Sequence, residues 1–214
     1  MKQHEYKGKK ITVVYDVQRC IHAKECVRGL PGVFNSDLKP WVQPDNAEAQ
    51  ALAAVIRRCP TGALHYQAAD PKLAERADPS NTVTITPDGP SFVRGNIHVT
   101  AESGQVLFSD TRVALCRCGA SKNKPFCDNS HFAVAFADPG LAAPGESADS
   151  EMATSGKLNV VPTANGPLHL QGQITIRNAA NQVIFEGIET WLCRCGASAN
   201  KPYCDGSHER IGFK

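Results

Sequence analysis

No stretch of this chain approaches the roughly 18 consecutive apolar residues that a membrane-spanning helix requires. Residues 1–10 are basic but lack the apolar centre of a secretion signal, so the expectation is a soluble, unexported, cytoplasmic protein with no membrane association. Charge of one sign is also missing. The 23 Lys and Arg against 21 Asp and Glu leave a formal charge of +2, too small to imply a nucleic-acid partner. The chain has no Gly-rich phosphate loop, no HExxH helix, and no flavin or nicotinamide fingerprint, and this argues against an enzyme. Its 214 residues with 42% hydrophobic content are enough for one or two compact domains.

The chain is rich in thiols. Nine cysteines is an odd number, which a closed disulfide framework cannot use completely, and a protein that is not exported keeps its thiols reduced. They fall into three groups of three: Cys20, Cys26 and Cys59; Cys116, Cys118 and Cys127; Cys193, Cys195 and Cys204. The grouping points to three metal centres.

The second and third groups belong to a repeat. Shifting the chain by 77 residues superposes 21 of the 45 positions from Pro87 to His131 on their counterparts, a self-similarity that chance does not produce. Within each copy, residues 92–100 and 168–176 alternate β-favouring with polar side chains and read as strands. Turn signals follow at Asp88-Gly89-Pro90 and Asn165-Gly166-Pro167, then at Ser103-Gly104 and Ala180-Asn181. Each cysteine motif therefore hangs from a small antiparallel sheet. Residues 137–150, rich in Pro, Gly and small side chains, read as a flexible connector.

The first 68 residues form a different unit. Residues 10–15 alternate like a strand, Asp45 to Glu48 has the form of a capping box, and the helix it would start places Leu52, Val55, Ile56 and Cys59 on one face. Pro60 and Gly62 end that helix, residues 63–66 read as a closing strand, and residues 67–81 as a linker. The expected organisation is an N-terminal domain at 1–68, a linker at 69–81, a first repeat at 82–136, a connector at 137–158 and a second repeat at 159–214.

Each repeat offers three thiolates and one imidazole, donors suited to Zn²⁺ or to the iron of an iron-sulfur cluster. Structural zinc sites usually use pairs of cysteines two to four residues apart with a second pair well downstream. Here the first two cysteines are separated by one residue, the third follows after eight more, and His comes three residues later. Such a compact set suits a [2Fe-2S] rhomb, with two cysteines on one iron and Cys plus His on the other. Zinc remains the alternative.

The segment from Cys193 to His208 matches in full the pattern C-x-C-x2-S-x3-P-x-C-D-G-S-H and closely resembles the CDGSH iron-sulfur domain family, the mitoNEET-like proteins. The copy from Cys116 to His131 departs only at Asn129, which replaces a Gly; both residue types tolerate positive φ. The resemblance implies a [2Fe-2S] cluster held by Cys116, Cys118, Cys127 and His131 and another held by Cys193, Cys195, Cys204 and His208. It also implies a β-rich NEET-type fold in which the tandem repeats form an intramolecular pseudo-dimer with pseudo-twofold symmetry. Replacing a thiolate by imidazole makes a cluster easier to reduce, and a protonable ligand makes it acid-labile. Asp128 and Asp205 are candidates to accept from local backbone N–H groups, and Ser121, Ser198, Ser130 and Ser207 to bond cluster sulfides or cap turns.

Cys20-Ile-His-Ala-Lys-Glu-Cys26 followed by Cys59-Pro60 resembles the divergent mono-cluster ferredoxins over residues 5–66, with Ala23 at the middle ligand position. The resemblance implies a small ferredoxin-like domain and a [3Fe-4S] cluster, or a [4Fe-4S] cluster whose fourth iron takes His22, water or another ligand. Inert buried thiols are the alternative. The overall expectation is an α+β protein and a non-enzymatic electron carrier serving redox partner proteins. Two further readings stand beside it: a redox- or pH-sensitive store that passes clusters to apo-protein acceptors, and a zinc-bound structural or interaction module. Trp41 and Trp191 are candidate electron conduits, with Trp191 better read as core or interface packing.

Overall fold

A computed structural model describes residues 3–143 and 156–214, so the central part of the expected connector lies outside the described residues. The chain divides into two compact units, Met1–Arg76 and Ala77–Lys214. The second is β-rich, whereas the first mixes three strands with short helices.

In the first unit, strands β1 (Gln3–Lys7), β2 (Ile11–Asp16) and β3 (Leu64–Ala68) form an antiparallel sheet in that order. Helix α1 (Glu25–Gly29) carries Cys26, and helix α2 (Ala49–Ile56) buries Leu52, Val55 and Ile56. These pack with Ile11, Val13, Val33, Phe34 and Val42 into one core. The expected capping box does not form. Pro44, Asp45 and Asn46 make a separate 3-10 turn, the Asp45 carboxylate accepts from Lys9 N at 2.8 Å, and α2 starts after Glu48 with no side-chain cap. Cys59 accordingly lies beyond the helix rather than on its face. A tertiary bond to the β1–β2 turn has taken the carboxylate that local pattern assigned to a cap.

The second unit contains β4 (Thr82–Ile85), β5 (Ser91–Thr100), β6 (Val106–Leu115), β7 (Leu158–Pro162), β8 (Leu168–Arg177) and β9 (Val183–Leu192). Each copy supplies a long antiparallel hairpin, β5–β6 or β8–β9, and one short strand. The short strands join across the repeat. β4 is antiparallel to β5 at 91–94 and parallel to β8 at 175–177, while β7 is antiparallel to β8 at 168–171 and parallel to β5 at 97–99. The parallel pairs Asn159 with His98 and Val160 with Val99 are the counterparts, 77 residues on or back, of Thr82 with Thr175 and Val83 with Ile176. Val83, Ile97, Leu115, Leu158, Leu170 and Ile176 all enter one core, so both copies contribute to it. Asn81, 2% exposed, ties the join: its Nδ2 donates to Gly156 O and Gln173 O and its Oδ1 accepts from Asn96 N.

Candidate metal centres

The two cysteine-histidine loops start where β6 and β9 end. Cys116 N donates to Pro125 O and Cys127 N to Ala114 O, so the chain doubles back on the strand and brings the third cysteine to the first. Cys193 N to Pro202 O and Cys204 N to Trp191 O repeat the arrangement. Four-residue helices α3 (Ser130–Ala133) and α4 (Ser207–Arg210) then present the histidines. Both begin after a left-handed residue, Asn129 at φ 71° and Gly206 at φ 81°, which is why the one departure from the motif keeps the same turn. The aspartates are backbone anchors as expected: Asp128 accepts from Lys122 N and Ser130 N, and Asp205 from Ala199 N and Ser207 N. Ser121 and Ser198 cap the intervening turns through Phe126 O and Tyr203 O, and the Ser207 hydroxyl accepts from Arg210.

The donors in each loop come together as two pairs. Cys116 and Cys118 sulfurs are 3.7 Å apart and Cys127 Sγ is 3.5 Å from His131 Nδ1; the second copy gives 3.8 Å for Cys193 and Cys195 and 3.4 Å for Cys204 and His208. Tetrahedral angles with metal bonds of about 2.3 Å to sulfur and 2.0–2.1 Å to nitrogen separate two sulfurs by about 3.8 Å and sulfur from nitrogen by about 3.5 Å. Each pair thus has the spacing of two ligands on one metal. Among the described residues no three such side chains converge on a single ion.

The protonation states favour metal capture unevenly. Cys116 accepts from Cys118, which together with backbone N–H groups lowers its thiol to about 6, whereas the Cys118 proton is held strongly. Burial pushes Cys127 up to about 11 against the N–H of Asn129. Burial also lowers His131, leaving the neutral imidazole that a metal needs.

The structure also brings the two loops against each other, which their separate motifs do not announce. A Cβ on Gly119 would lie 2.5 Å from Cys195 O, and one on Gly196 would lie 2.8 Å from Cys118 O; both glycines have positive φ. Arg117 and Arg194, almost wholly buried, donate to Gly89 O and Gly166 O. The rings of Phe136 and Phe213 each receive an arginine of their own copy and a lysine of the other: Arg117 at 5.4 Å and Lys201 at 5.9 Å, Arg194 at 5.1 Å and Lys124 at 5.5 Å. Phe136 and Phe213 themselves stand 77 residues apart, so extending the repeat five residues past His131 would have marked them. Trp191 is not in the core: it is 45% exposed and stacks at 4.5 Å on its cross-strand neighbour His169.

In the first unit, Cys20, Cys26 and Cys59 line one cavity of about 390 Å³ with Tyr15, Trp41 and Thr61. His22 and Ala23 line it too, and His22 is held at φ 55°. Burial raises the Cys26 thiol to about 11, and burial with a Cys20 hydrogen bond raises Tyr15. Three thiols around a single roomy cavity fit a thiolate-ligated cluster and not three separate packing roles.

A doubled set of three cysteines and one histidine on a shared β-scaffold, with a third cysteine-lined cavity, is the donor chemistry of an iron-binding protein. The chain belongs to the divergent 4Fe-4S mono-cluster family over residues 6–69, and to the iron-binding zinc finger CDGSH family over residues 88–132 and 165–209. Its relatives include the uncharacterized protein YjdI of Escherichia coli K12 and that of Escherichia coli O157:H7. Each is 42% identical over 62 residues, covering 29% of this chain and 82% of the relative. No solved structure matches the chain significantly. No helix among the described residues is long and apolar enough to cross a membrane.

Proposed function

We propose that this chain is an electron-transfer protein holding two [2Fe-2S] clusters in the repeated unit and a [3Fe-4S] or [4Fe-4S] cluster in a ferredoxin-like N-terminal unit. The observation that carries the reading is the sorting of each shell into two pairs with the spacing of ligands on separate metals. A single zinc would instead draw all four donors to one point. Cys116 with Cys118 would hold one iron and Cys127 with His131 its neighbour; Cys193 with Cys195 and Cys204 with His208 would do the same in the second copy. Cys20, Cys26 and Cys59 would hold the third cluster, with His22 or water at the remaining iron. Each cluster, when bound, takes up and returns one electron.

The chain's own residues orient and shield these centres. The Asp128 and Asp205 anchors fix the Cys127–His131 and Cys204–His208 turns. Burial keeps His131 neutral. The two repeats, joined by exchanged parallel pairings, act as the pseudo-twofold halves of an intramolecular dimer. Redox partner proteins would meet it at the surface.

One observation favours a second reading, cluster storage and delivery to apo-proteins. The His208 side chain is 17% exposed beside the exposed carboxylate of Glu209 at 3.9 Å, so solvent reaches a protonable ligand. Iron and acid-labile sulfide counts on anaerobically prepared protein test the cluster reading: two irons and two sulfides per repeated shell are expected, and zinc without sulfide refutes it. Reversible reduction without iron loss supports the carrier. Transfer to an apo-ferredoxin on mixing supports delivery.

A further inference from the structure

One wall of the cysteine-lined cavity in the first unit carries a hydroxyl beside a thiol. Cys59 follows the end of α2, its N–H donating to Ile56 O at 2.9 Å, and the chain then turns through Pro60, Thr61 and Gly62, the last at φ 63°. That turn is tied down at its carbonyls: Asp16 N at the end of β2 donates to Ala63 O at 2.8 Å, and the guanidinium of Arg19 donates to Thr61 O. Arg19 and Thr61 are 4% and 3% exposed, so water does not compete for the bond between them. The Thr61 hydroxyl accepts from Ala63 N at 3.0 Å and stands 3.5 Å from Cys59 Sγ. A hydroxyl carries one proton and two lone pairs. Ala63 N–H occupies a lone pair, which leaves the proton for the sulfur. In the free thiol either atom could donate, but a cysteine bound to iron is a thiolate with no proton to give. Loading the cavity therefore fixes the direction, from Thr61 Oγ1 to Cys59 Sγ.

We infer that Thr61 donates a hydrogen bond to the Cys59 ligand and raises the reduction potential of the centre held by Cys20, Cys26 and Cys59, with Arg19 as the buried support that aims it. The inference rests on the third-cluster reading above. Potentials of iron-sulfur centres depend on cluster type, net charge and hydrogen bonds to the sulfurs. A hydrogen bond to a charged acceptor is stronger than one to a neutral acceptor, and reduction makes the sulfur more negative. The bond therefore strengthens on reduction and holds the potential up. Reduction moves one electron from a donor such as dithionite to the cluster; no bond forms or breaks, and the proton stays on Thr61. Thr61 and Arg19 act as positioning residues, since neither is a ligand.

Anaerobic potentiometric titration of the full holoprotein, followed by electron paramagnetic resonance, tests this. The step that disappears in Cys26→Ala belongs to this centre. At a fixed potential near its midpoint, Thr61→Val should leave the ratio of reduced to oxidised centre about tenfold lower, a fall in midpoint of about 59 mV. Thr61→Ser, which keeps the hydroxyl and loses only a methyl group, should restore the unsubstituted midpoint. Thr61→Ala gives the same reading as the valine variant if that variant does not load. Electron-nuclear double resonance on the unsubstituted protein needs no variant: reconstitution in deuterated water should exchange a proton coupled to the centre. An unchanged midpoint in Thr61→Val or Thr61→Ala, a shift in Thr61→Ser equal to theirs, or no exchangeable coupled proton overturns the inference. Iron and sulfide counts on the same samples separate the two failures. An unchanged midpoint in fully loaded protein sinks only this inference, whereas counts that do not fall in Cys26→Ala sink the third-cluster reading itself.

Discussion

Gly196→Ala should damage both cysteine loops, although Gly206→Ala, ten residues away in the same loop, should damage one only slightly. The two glycines have nearly the same backbone, φ 84° and φ 81°, so an alanine at either meets a similar conformational cost of about 1–2 kcal/mol. What differs is space. A Cβ at position 206 meets no atom within 4 Å, while one at 196 lies 2.8 Å from Cys118 O and 3.0 Å from its carbonyl carbon. Those atoms belong to backbone and cannot rotate away, so overpacking adds about 1–3 kcal/mol. Gly196→Ala should thus cost about 2–5 kcal/mol in all, and, because the displaced carbonyl belongs to Cys118, it should loosen iron in the other copy's shell. Gly206→Asn, which imitates Asn129, should cost less than Gly206→Ala. The assay is thermal loss of cluster absorption with iron counted after gel filtration, at roughly 2–4 °C per kcal/mol for a unit of this size. Equal losses for Gly196→Ala and Gly206→Ala, or an intact first shell in Gly196→Ala, would refute the interlocked arrangement.

Acid should act on two limbs. Burial depresses His131 below its ordinary value of about 6.5, so the unfolded chain binds that proton first; stability is full above about pH 6.5 and is lost as pH falls toward the folded value. Cluster absorption followed against pH should show this limb, and the His131→Cys variant should lack it. Asp205 is held low by Ser207 and by the Ala199 and Ser207 N–H groups, so its contribution is present above about pH 4 and disappears below it. Asp205→Asn should remove that lower limb from denaturation midpoints measured across pH 2–5. Asn81→Ala should cost about 2–4 kcal/mol, since three bonds at a buried join are lost, and an unchanged denaturation midpoint would contradict its role between the copies.

Much of the site was legible in the residues. The C-x-C and C-x3-H spacings picked out the side chains that pair in the structure, and Asp128 and Asp205 were readable as anchors; Asn129 left open whether its turn would match, and its positive φ keeps it matched. The alternating segments 92–100 and 168–176 foretold β5 and β8 within a residue. Less was legible where a distant partner intervened. Asp45 has the local form of a cap but bonds Lys9, and strand β1 has no alternation to betray it because its residues are mostly exposed. Trp191 has a core-like composition, yet the pleat turns it outward onto His169.

The sequence by itself determined that a cysteine-histidine motif is duplicated, which side chains each copy gathers, and how each loop turns, because residue spacing and αL preference are properties of a few adjacent residues. Only the tertiary structure decided that the copies exchange strands and that Gly119 and Gly196 each abut a cysteine carbonyl of the other loop. Parallel pairing between residues far apart leaves no local pattern, because either copy's hydrophobic strand would suit either partner. The choice is made when both hairpins bury one common core.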